Sequence, residues 1–145
     1  LPLHPTLINV IPQQAVMTVD LRNTDGARLR AAQAEVLAHA HAVAAAHGVQ
    51  CTHRMLADFE PVAFDPALTD SVERHAHALG LRTLRLPSGA GHDAQMLARI
   101  GPSAMVFVPS RDGLSHNVRE FTDPQQLAQG ANVLLQVLLE RANRP

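Results

Sequence analysis

The spacing of hydrophobic residues switches repeatedly between a period of two and a period near 3.6, and this alternation constrains the fold most. Ile8 to Ile11 is a short apolar run, and Ala15 to Arg22 alternates apolar with polar positions, which predicts a strand with one buried face. Apolar residues from Leu29 to Val43 recur at helical spacing, with Gly48 as the predicted helix end. Val49 to Phe59 predicts another strand. The order β-β-α-β is typical of part of an α+β domain.

A second alternating region follows a cluster of proline and aspartate, so we expect a domain boundary near residue 65. Asp65 and Pro66 have the chemistry of a helix cap followed by a first-turn proline. Helices are predicted over 68–79, 93–100 and 127–138, with strands over 81–86 and 104–108. We therefore expect an α/β fold class overall, with an α+β portion over residues 1–65 and an α/β portion over residues 66–145.

Composition excludes several classes of function. The 145 residues carry a formal charge of −1, and all 12 basic residues are arginine, which argues against a broad nucleic-acid or anionic-membrane surface. Four Phe with no Tyr or Trp argue against a surface on which nucleic-acid bases stack. A single cysteine, Cys51, excludes an internal disulfide framework. We find no run of apolar residues long enough to span a membrane and expect a cytoplasmic protein.

The segment from Ser88 to Ala94 is the densest candidate for a binding site, and three interpretations compete for it. Gly89, Gly91 and Ala94 fit the pattern of a dinucleotide-binding loop, although a single match of this kind is weak. Alternatively, the glycines only permit a tight turn with positive φ. In the third interpretation, bare glycine backbone lets a ligand approach and offers N–H donors.

A second candidate is the loop from Pro109 to Asn117, which contains His116 and has Glu120 behind it. A loop after a buried strand is well placed for a site in an open α/β sheet, and imidazole is a common zinc ligand. An exposed loop histidine without a ligand is the alternative. The pairs His39/His41 and His75/His77 are predicted on helices, where positions i and i+2 point apart, so we expect them to be structural or solvated.

Four segments taken in order carry a family resemblance. They are Asn9-Val10-Ile11-Pro12, Asp20-Leu21-Arg22, Pro87-Ser88-Gly89-Ala90-Gly91-His92-Asp93-Ala94, and Val108-Pro109-Ser110 through Gly113-Leu114-Ser115-His116-Asn117 to Glu120. Together they resemble the metal-dependent amidohydrolases that comprise N-carbamoyl-L-amino-acid hydrolase, allantoate amidohydrolase and yeast-type β-alanine synthase. This family belongs to the aminoacylase/carboxypeptidase clan of two-zinc enzymes, and the resemblance covers nearly the whole chain.

The resemblance implies two domains with different roles. Residues 1–65 resemble the later part of a lid domain that forms a homodimer, and residues 66–145 resemble the C-terminal part of the catalytic domain. Asn9 and Arg22 match the lid residues that hold the carboxylate of a small-molecule substrate. Gly89, Gly91 and His92 match the loop that contacts the substrate, and His116 matches the last metal ligand.

The resemblance also implies two zinc or manganese ions in the full-length enzyme, but the family's other metal ligands and its general base lie in an upstream part that has no counterpart here. One imidazole cannot hold a catalytic zinc, which needs about three protein ligands. We therefore expect this polypeptide to be a C-terminal segment, without catalytic residues of its own and without bound metal or activity when isolated. A non-catalytic dimerisation or binding module is the alternative, followed by a dinucleotide-binding domain.

Overall fold

The computed structural model describes residues 3–4 and 8–143, and the regular secondary structure within them is mostly helical. Two short strands, β1 (Leu3–His4) and β2 (Gln14–Ala15), form an antiparallel ladder in which Leu3 pairs with Ala15 and His4 with Gln14. Four α-helices and one 3₁₀ turn follow. Their bounds are α1 (Gly26–Ala46), α2 (Pro66–Ala78), α3 (Asp93–Leu97), the 3₁₀ turn Arg111–Gly113 and α4 (Pro124–Ala142).

The chain divides into two compact units, Leu1–Pro61 (unit 1) and Val62–Pro145 (unit 2). In unit 1, α1 begins where the Asp25 carboxylate accepts hydrogen bonds from the N–H groups of Ala27 and Arg28, at 2.9 and 3.1 Å. Arg30 on this helix forms an ion pair with Glu60, and the rings of His41 and His53 meet edge to face at 5.7 Å. These two contacts hold the segment that follows α1 against the helix.

Unit 2 is built on the packing of α2 against α4. Ala76, Val133 and Val137 are its buried apolar residues, and Ser71 is completely buried beside them. The Ser71 hydroxyl donates to the Glu140 carboxylate at 2.6 Å, and His75 Nε2 lies 2.8 Å from the same oxygen. A buried hydroxyl needs a hydrogen-bond partner, and Glu140 provides it. The helix pair is therefore held by this polar contact in addition to its apolar packing.

The structure contradicts the strands that the sequence predicts beyond β2 in the described part of the chain. Apart from Ala15, no residue of the segments 15–22, 49–59, 81–86 and 104–108 joins a strand ladder within residues 3–4 and 8–143. A strand needs a neighbour to accept its N–H groups, and sequence alternation records only which face is apolar. Leu84 and Phe107 accordingly remain 78% and 63% exposed.

Candidate functional site

The glycine-containing loop ends in a histidine whose surroundings are well defined. His92 is the N-cap of α3, and its backbone N–H donates to Gln95 Oε1 at 3.1 Å while the Gln95 N–H donates to the His92 carbonyl at 2.9 Å. His92 Nε2 lies 2.7 Å from Ser88 Oγ, and Ser88 Oγ also accepts the Ala90 N–H at 3.2 Å. Phe107 meets the imidazole edge to face, with ring centroids 5.5 Å apart. The loop therefore holds this imidazole from several sides.

Gly91 differs from the helix-ending glycines in what it requires. Gly48 and Gly80 adopt φ values of 66° and 75°, which favour glycine, whereas Gly91 has no positive φ. A methyl group on Gly91 would meet nothing closer than Gln95 Oε1, at 3.9 Å. Neither a turn with positive φ nor internal packing explains this glycine, so the structure disfavours the turn interpretation at Gly91.

The dinucleotide interpretation of the same loop also lacks its structural setting. That fingerprint requires a strand before the loop and a helix after it, whose N-terminus binds the pyrophosphate. Here α3 has only five residues, and residues 81–86 form no strand ladder in the described part of unit 2.

His116 lies in a loop with unusual backbone geometry. Asp112 and His116 both have positive φ, 57° and 54°, a conformation that non-glycine residues adopt at an energetic cost. The His116 N–H donates to Glu120 Oε2 at 2.8 Å, so the carboxylate holds the backbone in this conformation. The guanidinium of Arg111 stacks over the Phe121 ring at 4.3 Å, which fixes the other side of the loop.

Arg22 is held in a fork-like contact with Asp20. Its Nε donates to Asp20 Oδ1 at 3.0 Å, and its Nη2 lies 2.5 Å from Oδ2. Both side chains are exposed, and the hydrogen bond from Arg22 lowers the pKa of Asp20. A carboxylate therefore already occupies part of this guanidinium, which shows that the side chain presents geometry suited to a planar anion. Asn9 is exposed in a turn of the same unit.

The predicted site residues thus fall into two sets. Asn9 and Arg22 belong to unit 1, whereas Gly89, Gly91, His92 and His116 belong to unit 2. Ser88, as the partner of His92, was not identified as a functional residue from the sequence. In the sequence, the four-residue spacing of Ser88 and His92 across the predicted start of a helix could have indicated this contact.

The remaining histidines agree with their predicted structural role where the geometry is described. His75 contacts Glu140, while His77 Nε2 lies 2.9 Å from the Thr83 hydroxyl, so the two residues use different partners on different sides of α2. They do not converge on one ligand.

The described residues do not by themselves complete a metal site. Within residues 3–4 and 8–143, no group of three or more His, Cys, Asp or Glu side chains could hold an ion. His116 supplies one imidazole, and the nearby Glu120 carboxylate is engaged by a backbone N–H. In the same part of the chain, no helix has the length and apolarity needed to cross a bilayer.

Comparison with known proteins places these residues in context. The family model described as peptidase family M20/M25/M40 matches residues 19–140. An N-carbamoyl-L-amino-acid amidohydrolase from Rhizobium meliloti is 40% identical over 138 residues, which cover 95% of this chain and 33% of that protein. An allantoate amidohydrolase from Bacillus subtilis (strain 168) is 33% identical, covering 96% of this chain and 34% of the relative.

Solved structures give the same relationship. A hydantoinase/carbamoylase family amidase from Burkholderia multivorans matches with a TM-score of 0.84 and 37% identity, covering 99% of this chain and 35% of that chain. The structure of AtUAH in complex with glyoxylate matches with a TM-score of 0.82 and 27% identity over 96% of this chain and 33% of that one. The chain thus spans about a third of the length of the relatives that it matches.

Proposed function

The chain belongs to peptidase family M20/M25/M40, and on that premise we propose that it is a segment of an amidohydrolase acting on the carbamoyl or ureido C–N bond of N-carbamoyl-amino acids or allantoate-like compounds. The observation that carries the proposal is the 40% identity to an N-carbamoyl-L-amino-acid amidohydrolase across 95% of this chain. Allantoate amidohydrolases among the other relatives support the same bond class.

Arg22 has the role of carboxylate anchor in this proposal. Its guanidinium carries five N–H donors in a planar fork, and the contact with Asp20 keeps that plane oriented. A substrate carboxylate that meets Arg22 can form paired charge-assisted hydrogen bonds, and the Asn9 amide can add a further donor. We assign unit 1 to the lid and homodimerisation domain of the family on the basis of these residues.

The loop from Gly89 to His92 has the role of substrate contact in unit 2. Gly91 carries no side chain although space and backbone geometry would accept one, which is what close approach of a ligand to the backbone would favour. His92 lies at the end of the same loop with its imidazole already oriented by Ser88. We assign unit 2 to the α/β catalytic domain of a cytoplasmic enzyme.

His116 would provide one ligand to a pair of zinc or manganese ions, which polarise the scissile carbonyl when bound. A catalytic zinc site needs about three protein ligands, and the described residues do not assemble such a set. We therefore propose that the isolated chain binds no catalytic metal and is inactive, and that its residues act within a protein of full family length.

A chimeric enzyme tests this proposal directly. This chain would replace the matching third of the Rhizobium meliloti N-carbamoyl-L-amino-acid amidohydrolase, and release of the free amino acid would be measured for N-carbamoyl-L-amino acids and for allantoate. We expect hydrolysis of at least one of the two by the chimera and none by the isolated chain. A chimera that folds and binds metal but hydrolyses neither compound would contradict the proposal.

Two substitutions in the chimera separate the roles of the two units. Arg22→Ala should weaken substrates that bear an α-carboxylate, raising KM by about tenfold or more for the loss of a charge-assisted contact, with metal content intact. His116→Ala should instead lower the metal content measured by elemental analysis. Equal metal loss in Arg22→Ala, or unchanged metal in His116→Ala, would count against the respective role.

A further inference from the structure

We propose that Arg85 is a positioning residue that fixes the start of the glycine-containing loop, residues 87–92, against α2. The effect on substrate binding rests on the proposed function of that loop, whereas the positioning itself is a property of this chain. The proposal is carried by the contacts of one guanidinium with two carboxylates of α2. Arg85 Nε and Nη2 donate to Glu73 Oε2 at 3.2 and 2.5 Å, and Nη2 also donates to Asp70 Oδ1 at 2.7 Å.

The direction of these hydrogen bonds is fixed by the groups that form them. A guanidinium only donates, and an ionised carboxylate only accepts. The hydrogen bond from Arg85 lowers the pKa of Glu73, so this carboxylate is ionised at neutral pH. The Thr83 hydroxyl donates to the other oxygen of Glu73, Oε1, at 3.2 Å. Both oxygens of Glu73 therefore accept hydrogen bonds from the segment 81–86.

The two residues of this segment that contact α2, Thr83 and Arg85, alternate with residues that point away from it. Leu84 and Leu86 are 78% and 72% exposed, as expected when successive side chains of an extended segment point to opposite sides. Within the described residues, the segment 81–86 joins no strand ladder. The side-chain contacts of Thr83 and Arg85 with α2 therefore hold the part of the segment that leads into the loop.

The position of this segment determines where the loop begins, because the chain between them has little freedom. Pro87 follows directly, and its ring fixes its own φ and restricts Leu86 to extended backbone conformations. The other end of the loop is held at α3, where the His92 N–H donates to Gln95 Oε1 at 3.1 Å. The loop is thus anchored at both ends, and Arg85 provides the anchor at its start.

The test uses the 145-residue chain labelled with ¹⁵N, in which ¹H–¹⁵N spectra report the surroundings of each backbone amide. Arg85→Gln should shift the amide signals of Gly89 and Gly91, whereas Gly48 of unit 1 should keep its signal and serve as an internal reference. Glu73→Gln should shift the same two signals in the same direction. The double variant should shift them no further than the single ones, since all three remove one contact. Arg85→Lys, which keeps the charge but not the planar fork, should give a smaller shift than Arg85→Gln.

The matched control is Arg82→Gln, the same substitution in the same segment. Arg82 is exposed and lies in alternation with Thr83 and Arg85, so its loss should leave the signals of Gly89 and Gly91 unchanged. Unchanged signals in Arg85→Gln, or equal shifts in Arg82→Gln, would overturn the proposal.

A salt titration of the unaltered chain tests the same contact without any substitution. Raising the ionic strength from about 0.01 M to about 1 M shortens the screening length from about 30 Å to about 3 Å and weakens exposed ion pairs. The amide signals of Gly89 and Gly91 should then move toward their positions in Arg85→Gln. Signals that do not respond to salt would overturn the proposal, even where a variant fails to fold.

The chimeric enzyme separates failure of this inference from failure of the proposed function. There, Arg85→Gln should raise KM by about twofold to tenfold with kcat little changed, as expected when a substrate-contacting loop is held less firmly, and Arg82→Gln should change neither. An inactive chimera together with the expected amide shifts in the isolated chain refutes the proposed function and leaves the positioning of the loop intact. An active chimera in which Arg85→Gln and Arg82→Gln have the same KM refutes the role of Arg85 in substrate binding.

Discussion

At the scale of single residues, the contact between Asp20 and Arg22 shows how a short sequence spacing places a guanidinium against a carboxylate. The two residues are two positions apart, and the Arg22 guanidinium reaches back to the Asp20 carboxylate. Because both side chains are solvent-exposed, the pair contributes little to stability and its strength depends on salt. Its importance is the orientation that it gives to the guanidinium.

The pKa of Asp20 provides a direct measure of this contact. The Arg22 hydrogen bond lowers that pKa, so we expect Arg22→Gln to raise it toward the ordinary value of an aspartate. A folded pKa below the unfolded one stabilises the fold above the unfolded pKa, and this contribution is lost as pH falls through the folded pKa. Carboxyl ¹³C NMR titration measures the shift.

Arg28→Gln is the control for that measurement, because Arg28 pairs with Asp25 at 3.6 Å and should leave the titration of Asp20 unaffected. Added salt should reduce the difference between Arg22→Gln and the unaltered chain, as for any exposed pair. An Asp20 titration that does not respond to the loss of Arg22 would refute the contact.

The backbone at His116 is the other notable feature at this scale. A positive φ at a non-glycine residue persists where surrounding contacts maintain it, and here the Glu120 carboxylate accepts the His116 N–H at 2.8 Å. The loop was identified from the sequence through its histidine and glutamate. Its left-handed backbone was not, because φ at a histidine depends on a hydrogen bond four residues away.

At the scale of elements, Gly130 shows how α4 approaches a neighbouring segment. A methyl group at Gly130 would collide with the Cγ1 methyl of Val108. The absence of a side chain in the helix therefore allows close contact between α4 and the 104–108 segment within unit 2. From the sequence, residue 130 is only a glycine within the predicted helix 127–138. Glycine at such a position weakens a helix by roughly 1 kcal/mol relative to alanine.

Gly130→Ala should for this reason reduce the free energy of unfolding, although alanine forms helices better than glycine. Overpacking costs about 1–3 kcal/mol, which offsets the gain in helix propensity and leaves a net loss of up to about 2 kcal/mol. Urea denaturation followed by circular dichroism measures the change.

Gly101→Ala is the matched control, since a methyl group at Gly101 meets no atom within 4 Å. It should be close to neutral. The double variant Gly130→Ala with Val108→Ala should recover stability relative to Gly130→Ala, because the smaller side chain removes the collision. Increased stability of Gly130→Ala alone would show that the two segments are not in close contact.

At the scale of the whole molecule, the exposed apolar surface is the dominant feature. Many large apolar side chains of the described residues are exposed, in both units. Large apolar side chains such as Leu84, Leu86 and Phe107 lie in the segments that were predicted as strands and have no strand neighbour in the described residues. The relatives that this chain matches are about three times as long, and we expect the rest of such a chain to cover this surface.

We therefore expect the isolated chain to enhance the fluorescence of the dye ANS several-fold more strongly than the chimeric enzyme does at equal molar concentration. Exposed apolar patches bind this dye and promote association, so light scattering should also report species larger than a monomer for the isolated chain. Weak dye binding together with a monomeric mass would contradict the expectation that this surface is normally covered.

The parts of the fold that depend on neighbouring residues in the chain followed from the sequence. The predicted cap at Asp65 and the helix ends at Gly48 and Gly80 are confirmed, whereas the sequence around residues 23–26 offers several candidates for the first cap and the structure uses Asp25. Helix caps involve atoms within about four residues of one another, so local sequence contains the information that determines them.

Tertiary structure decided what depends on residues distant in the chain. Whether an alternating segment becomes a strand depends on a neighbour that can pair with it, and within the described residues only Ala15 of the predicted strand 15–22 has one. The contacts of Ser71 and His75 with Glu140 likewise join positions more than 60 residues apart. The sequence determined which side chains could bind a carboxylate or a metal, whereas their partners and orientations required the folded chain, because packing and hydrogen bonding between distant segments are set only when those segments meet.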